Sequence, residues 1–241
     1  MKGIKFLVLS AFLFAHVVVW AQLEEKIKSE NVISGVIFLD GKEIPGYLKK
    51  MGKTEVFDKP FDAPWQFQSE VLFIGKDEFE KTEKIKNKMF QSYSAKEIEG
   101  YKYDTTYYES VKYSDMSAVG MNMIAKKVFM QKVLAAKISL FIYYNSPPAL
   151  VDGSSYQQAY TEAAIPKMVY QVGKEGKLKL VNNLNINKEL ADCPAVIEKY
   201  AKGEYSSSNS ALNNKNKFLN NTLFREDVRL AVIQDYNNTC K

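Results

Sequence analysis

Lys127 to Tyr144 reads KVFMQKVLAAKISLFIYY, and this stretch decides the fold class. Its second half is rich in β-branched and aromatic residues, which favour strands. Alternation along a strand places Ile138, Leu140, Ile142 and Tyr144 on one face, and Ser139, Phe141 and Tyr143 on the other. Two apolar faces are typical of a central strand covered on both sides. Each large side chain contributes roughly 1.5–3 kcal/mol when it is fully buried, so the stretch predicts the core of a β-sheet.

Residues 117–136, which lead into that strand, fit two structures. As a helix, their apolar residues lie along one face, and the alanines favour a helix. As a strand, Lys127 to Val133 turns at Ala135-Ala136 and pairs with Ile138 to Tyr144. We prefer the strand because strand signals flank it, and the helix stays open as the alternative.

Period-two patterns predict further strands on the N-terminal side. Val32 to Leu39 and Ile44 to Leu48 form a hairpin whose turn is Asp40-Gly41, two residues that tolerate a positive φ. Lys96 to Tyr113 predicts two strands broken near Asp104. All these strands are close in sequence to their partners, so the predicted sheet is antiparallel.

The character changes to helix after Asn182. Pro194 suits the first turn of a helix that Gly203 closes. A final helix begins near Thr222, with its apolar residues on one stripe. The Ser/Asn-rich run between these two helices contains too few apolar residues to bury a core.

The sequence therefore predicts an α+β protein with an antiparallel β-rich body and a small C-terminal helical subdomain. The predicted organisation is a signal peptide at 1–21, a polar lead-in at 22–31, a β-rich domain at 32–183, and a helical C-terminal subdomain at 184–241 with a flexible linker at 205–217.

The first 21 residues have the features of a signal peptide. Lys2 and Lys5 form a basic region, and Leu7 to Trp20 is apolar but short for a membrane span. Small residues then predict cleavage between Ala21 and Gln22, and an uncleaved anchor is the alternative. Cleavage implies a secreted protein, periplasmic or extracellular, that is not an integral membrane protein.

Charge and composition exclude several classes of function. The chain carries 33 Lys and Arg, 28 Asp and Glu, and one His. The leader contains two of the lysines and that histidine, His16, so the mature chain has a small positive charge and no histidine. This charge is too small for a nucleic-acid-binding surface. The loss of histidine removes the commonest general base and metal ligand, and we predict no cofactor.

Two cysteines, Cys193 and Cys240, enter an oxidising compartment if the chain is exported. An even pair there predicts one disulfide. Each cysteine lies at the end of a predicted helix, so the bond would dock the final helix beside the Pro194 helix.

Sequence signatures of catalysis and metal binding are weak. The chain lacks the G-x-S-x-G, H-E-x-x-H, C-x-x-C and Walker A motifs. Acidic residues cluster along the tyrosine-rich strands, but solvated strand ends explain them better than a catalytic pair; they are Glu97, Glu99, Asp104, Glu109 and Asp115. Asn183-x-Asn185-x-Asn187 has the spacing of a calcium loop but lacks its acidic ligands. We predict no catalytic residue and no metal site.

Aromatic residues are the one sequence feature that suggests a binding surface. The candidates are Trp65, Tyr101, Tyr103, Tyr107, Tyr108 and Tyr113. By parity, Tyr108 lies on the face opposite the other strand tyrosines. Exposed aromatics bind sugars or proteins, although tyrosine half-buried in a sheet is the simpler interpretation.

Four places in the sequence carry a resemblance to a known family. They are Gly35-Val36-Ile37 with Asp40 to Tyr47, Ser94 to Tyr101, Ala136 to Leu140, and the paired endings Asp192-Cys193-Pro194 and Tyr236 to Cys240. There the chain resembles a family of uncharacterised exported proteins of the Bacteroidetes type. The resemblance implies a β-rich body, a small helical C-terminal part and export, and it implies no activity. Two departures are Ala136, where glycine would ease the turn, and the inserted linker.

The function predicted from the sequence is non-catalytic binding of a cell-envelope ligand or a protein partner. The alternative is a carboxylate-dependent hydrolase acting on glycans, which would need two acidic side chains about 5–10 Å apart in a cleft.

Overall fold

The computed structural model describes residues 21–56, 58–114, 125–147, 155–205 and 217–240, with the backbone alone for 217–225. Residues 1–20 and 206–216 lie outside this range, and with them the predicted signal peptide and most of the predicted linker. Asp115 and residues 117–124 of the ambiguous segment also lie outside it.

Twelve strands and six helices form within the described residues. The strands are β1 (Val32–Leu39), β2 (Lys42–Lys49), β3 (Lys53–Val56), β4 (Lys59–Asp62), β5 (Glu70–Gly75), β6 (Gln91–Ser94), β7 (Gly100–Tyr103), β8 (Thr106–Tyr113), β9 (Lys126–Leu134), β10 (Ile138–Tyr143), β11 (Lys167–Val172) and β12 (Lys179–Leu180). The helices are α1 (21–29), α2 (Lys76–Lys81), α3 (Tyr156–Ala163), α4 (Ile186–Glu189), α5 (Pro194–Ala201) and α6 (Lys217–Thr239).

The fold class is α+β with an antiparallel β-rich body, as predicted. Each strand pairing with a register in the described part of the chain is antiparallel. Contacts divide the chain into two compact units, Met1–Ser110 and Val111–Lys241. The predicted boundary after residue 183 separates strands from helices, whereas the second unit contains both.

In the first unit, the strand order is β8-β7-β1-β2-β5-β6, and β3 and β4 form a separate pair. The β1–β2 hairpin closes at Asp40-Gly41, as predicted. Both turn residues have a positive φ, 51° and 70°, and Leu39 pairs with Lys42 across them. This turn therefore has the two left-handed residues of a type I′ hairpin, which matches the twist of the strands.

Two glycines inside this hairpin allow neighbouring strands to approach closely. Gly35 pairs with Gly46 across β1 and β2. A Cβ at Gly46 would lie 2.2 Å from the carbonyl oxygen of Ile74 on β5, and one at Gly35 would lie 2.5 Å from that of Lys102 on β7. Pro45 is tolerated because the pairing of β2 with β5 begins only at Gly46.

Residues 21–29, which include most of the predicted polar lead-in at 22–31, form helix α1. Leu23 and Ile27 are one turn apart and pack against a core that includes Tyr47, Ile74 and Phe79. The ammonium of Lys26 donates to the carbonyl oxygens of two residues at the end of α2, Phe79 and Thr82. A cation is favourable there because the carbonyl end of a helix carries a partial negative charge.

In the second unit, the strand order is β12-β11-β10-β9. The prediction that 127–133 pairs with 138–144 is confirmed, since β9 pairs with β10. The register shifts between Leu140 and Phe141, where β9 contains one extra residue, Val133. This residue is 43% exposed. Such a bulge leaves one residue unpaired and increases the local twist.

Strand β10 is central and buried on both faces, as its sequence predicts. On one face, Ile138 and Leu140 belong to a core shared with Tyr170 of β11 and with helices α4, α5 and α6. On the other face, Phe141 packs with Met130 and Val169. The C-terminal helices and strands β10 and β11 therefore share one hydrophobic core.

Helices α5 and α6 carry the predicted signals. Pro194 lies in the first turn of α5, and Gly203 follows its end with φ 72°. Helix α6 begins at Lys217, five residues before the predicted start. Its residues Val232 and Tyr236 are almost fully buried in the shared core.

The predicted disulfide is confirmed. Cys193 and Cys240 are bonded, with their Cα atoms 5.9 Å apart. The bond links the start of α5 to the residue that follows α6.

A pH dependence of stability follows from Asp235 on α6. Its carboxylate accepts hydrogen bonds from the Lys199 ammonium at 2.8 Å, from the Tyr205 hydroxyl and from the Thr239 hydroxyl at 2.8 Å. These donors lower the pKa of Asp235 to about 2. Because the pKa in the folded state is lower than in the unfolded state, Asp235 stabilises the fold above about pH 4 and loses this effect as the pH falls toward 2.

We therefore expect Asp235→Asn to destabilise the protein most near neutral pH. The difference from wild type in the free energy of unfolding should shrink steadily below about pH 4. Urea unfolding at several pH values measures it. Asp77→Asn is the control, because its ion pair with Lys81 is exposed and contributes little. A difference for Asp235→Asn that does not change with pH would contradict the assignment.

Candidate functional site

The segment from Asn182 to Asn187 reads NNLNIN and alternates polar and apolar residues. Leu184 and Ile186 are 2% and 3% exposed and lie in the core of the second unit. Asn183, Asn185 and Asn187 are exposed. The two apolar residues therefore anchor the segment and leave three amide side chains at the surface.

These amides line a pocket of about 330 Å³ that is open to solvent. Tyr200 of α5 and Arg229 of α6 contribute to its wall. The volume lies at the lower end of the range for small-molecule sites, roughly 300–1,000 Å³. The full lining is Asn182, Asn183, Leu184, Asn185, Ile186, Asn187, Tyr200 and Arg229.

Hydrogen bonds between side chains and the backbone hold the pocket wall in place. Asn185 caps helix α4, because its side-chain oxygen accepts from the backbone N–H of Lys188 at 3.1 Å. The guanidinium Nε of Arg229 donates to the carbonyl oxygen of Leu184 at 3.2 Å. Helix α6 is thus tied to the segment that carries the amides.

Asn182, which also lines the pocket, contacts an acidic side chain of α6. Its Nδ2 donates to Glu226 at 3.3 Å. Burial raises the pKa of the Glu226 carboxyl, and the hydrogen bond from Asn182 opposes that rise. The Oδ1 of Asn182 is buried and has no hydrogen-bond partner within the residues that the structure describes.

Asn183 and Asn187 provide the chemistry of the pocket. No hydrogen bond from either side chain is found in the described ranges, and each amide offers two donors and one acceptor oxygen. Among the described residues of the lining, none carries a carboxylate, thiol or imidazole. The arrangement therefore suits hydrogen bonding to a polar ligand.

The spacing Asn183-x-Asn185-x-Asn187 does not form a calcium loop in this structure. The side-chain oxygen of Asn185 is engaged as a helix cap, and the flanking residues form a 3₁₀ turn and helix α4. Across the described ranges, no group of three or more His, Cys, Asp and Glu side chains is arranged to hold a metal ion.

The predicted aromatic surface is buried in part. Tyr101, Tyr108 and Tyr113 are 1%, 6% and 6% exposed, so these three residues do not form an exposed surface. The Tyr101 hydroxyl donates to the carbonyl oxygen of Phe67 at 2.6 Å, and burial raises its pKa. Trp65, Tyr103 and Tyr107 are half-buried, and a binding role for them stays a prediction.

The parity argument for the tyrosines is wrong. Tyr101 pairs directly with Tyr108 across β7 and β8, and their rings stack with centroids 4.7 Å apart. The two-residue turn at Asp104-Thr105 reverses the chain, so an odd position on β7 faces an even position on β8. Sequence parity applies within one strand and does not extend across such a turn.

Two residues of the predicted acidic cluster have structural partners. The Glu97 carboxylate accepts from the backbone N–H and the hydroxyl of Ser94, both at 2.7 Å, and these bonds lower its pKa. The Glu99 carboxylate accepts from the backbone N–H of Gly41 at 2.8 Å. Both carboxylates therefore fix turns.

The pocket was not among the sites predicted from the sequence, although a signal for it was present. The alternation in NNLNIN marks a segment with one buried face and one amide face. The wall residues Tyr200 and Arg229 lie on helices far along the chain, and their contribution depends on tertiary packing.

The chain matches no protein-family model, no curated protein and no solved structure. Of the helices in the described ranges, none has the length and apolar character needed to cross a membrane. The class of protein is therefore defined by its fold and chemistry: an α+β protein with an antiparallel β-rich body, a disulfide and an asparagine-lined pocket.

Proposed function

We propose that this protein is an exported, non-catalytic binding protein that holds a polar ligand of the cell envelope in the asparagine pocket. One observation carries the proposal: Asn183, Asn185 and Asn187 are exposed and line a pocket whose described lining includes no carboxylate, thiol or imidazole. Exposed amides recognise a ligand by hydrogen bonds in both directions. The ligand therefore binds without being chemically changed.

Two features support export to the periplasm or the medium. The N-terminal residues have the order of a cleavable signal peptide, with basic, apolar and small residues in turn. The disulfide between Cys193 and Cys240 is typical of an oxidising compartment.

The test is a thermal-shift panel on the mature protein, residues 22–241, with glycans, lipids and peptide fragments of the cell envelope. A ligand at 100 times its Kd should add about 2.7 kcal/mol to the free energy of unfolding. The double variant Asn183→Ala/Asn187→Ala should lose that gain, because it removes the two pocket amides for which the described ranges show no hydrogen bond.

Asn238→Ala is the matched control, since Asn238 is an exposed asparagine on α6 outside the pocket lining. It should keep the full ligand-induced shift. If a ligand stabilises the wild type and the double variant equally, the binding site lies elsewhere and the assignment of this pocket is wrong.

A further inference from the structure

We infer that the ligand of the asparagine pocket is an uncharged saccharide. This inference rests on the proposed function and adds the chemical class of the ligand. It follows from three properties of the described pocket wall: its amides, its lack of carboxylates and its aromatic ring.

The amides match hydroxyl groups. Each sugar hydroxyl donates one hydrogen bond and accepts others, and an asparagine side chain does both from one planar group. Asn183 and Asn187 lie on either side of Asn185 in the same exposed row. A ring that carries several hydroxyls can satisfy this row, whereas a ligand with acceptors alone leaves the amide oxygens unpaired, which costs free energy.

The described residues of the pocket lining include one charged side chain, Arg229, and no carboxylate. The Nε of Arg229 donates to the carbonyl oxygen of Leu184. The nearby Glu189 carboxylate accepts from the Tyr170 hydroxyl at 2.9 Å and from the Lys179 ammonium at 3.0 Å. The backbone N–H of Asn185 also points to Glu189, at 3.3 Å. A cationic ligand therefore meets no carboxylate among the described residues of the lining. An anionic ligand would meet the Arg229 guanidinium, and the Arg229→Gln variant below tests for such a ligand.

The wall also offers an aromatic ring. Tyr200 is half-buried against the core of the second unit and lines the pocket. A pyranose ring has an apolar C–H face beside its polar edge. An aromatic side chain with a polar tip suits such a face, while the amides suit the edge. Metal ions are a poor match, since calcium prefers carboxylate oxygens.

The experiment is saturation-transfer NMR followed by calorimetry on the mature protein with matched sugars. Cellobiose and N,N′-diacetylchitobiose are the uncharged probes, each with its longer oligomers. Cellobiouronic acid and chitosan disaccharide carry the same skeleton with a negative or a positive charge. The expected result is binding of an uncharged probe that weakens at least tenfold in Asn183→Ala/Asn187→Ala and is unchanged in Asn238→Ala.

Salt distinguishes an uncharged ligand from a charged one. Binding of an uncharged sugar should change less than twofold between about 0.05 and 0.5 M salt, because no screened charge pair is involved. If a longer oligomer binds and the disaccharide does not, the source is a polymer of the envelope rather than a free sugar.

Four outcomes overturn the inference. If the uronic acid binds more tightly than the uncharged sugar, and this preference falls with added salt and in Arg229→Gln, the ligand is anionic. If the amino sugar binds more tightly than the uncharged sugar, the ligand is cationic. If no sugar binds, but another envelope component binds and its affinity falls in Asn183→Ala/Asn187→Ala, the saccharide inference fails and the proposed function stands. If no ligand loses affinity in that double variant, both the inference and the proposed function fail.

Discussion

Replacing either Cys193 or Cys240 by serine should lower the free energy of unfolding by about 4 kcal/mol. The bond joins residues 47 apart in sequence, and a closed loop of this size restricts the unfolded chain by about that amount in the chain-entropy model. The loss should be the same for both single variants and for the double variant, because each removes the same bond.

The effect should centre on the second unit. Helix α6 buries Val228, Val232, Ile233 and Tyr236 in the core that it shares with β10, β11 and α5. Loosening α6 therefore exposes the sheet itself.

Urea unfolding monitored by circular dichroism measures the change, and hydrogen exchange shows where it lies. Amides of α6 and β10 should lose protection, while those of β1 and β2 serve as the internal reference. Reducing the wild type with dithiothreitol should reproduce the serine variants. Unchanged unfolding after reduction would show that the bond restrains little, and would contradict the prediction.

Asn237→Ala should be far more damaging than the same substitution at the neighbouring Asn238. The side-chain oxygen of Asn237 accepts from the backbone N–H of Ile138 at 2.8 Å, and its Nδ2 donates to the carbonyl oxygen of the same residue at 2.9 Å. The amide thus satisfies both backbone groups of the first residue of β10. Ile138 is fully buried, so both groups lose their partner where water has little access.

An unsatisfied buried group costs about 1–3 kcal/mol, and we expect a loss in that range or above it. Asn237→Asp separates the two bonds, since a carboxylate still accepts from the N–H but cannot donate to the carbonyl oxygen. Its effect should depend on pH and be smaller when the new carboxyl is protonated. Urea unfolding measures both variants.

The neighbouring Asn238 is the matched control, because it is exposed on the same helix. Asn238→Ala should change the free energy of unfolding by no more than about 0.5 kcal/mol. Equal effects at 237 and 238 would show that helix propensity, and not the link to Ile138, governs this region.

Local sequence patterns predicted much of the fold because they reflect the backbone conformations that neighbouring residues prefer. Asp40-Gly41 specifies a tight hairpin turn, because both residues tolerate the positive φ that such a turn requires. Pro194 and Gly203 mark the ends of α5 for equally local reasons. The two apolar faces of Ile138 to Tyr143 predicted a central strand, and the structure buries both faces.

Other features could not be predicted from the sequence because they depend on which residues pack against them. Helix α1 is polar overall, and Leu23 and Ile27 matter only because the first unit provides a core for them. The tyrosines of β7 and β8 were assigned to faces by parity, but the turn between the strands decides which rings stack.

The sequence by itself determined the fold class, the strand preferred for Lys127 to Val133 and the cysteine pair, because alternation, turn residues and pairing of two cysteines are properties of the chain alone. Only the tertiary structure decided where the candidate site lies. The amides of Asn183 and Asn187 become a pocket when α5 and α6 bring Tyr200 and Arg229 beside them. That convergence depends on packing between residues far apart in sequence, which no local pattern encodes.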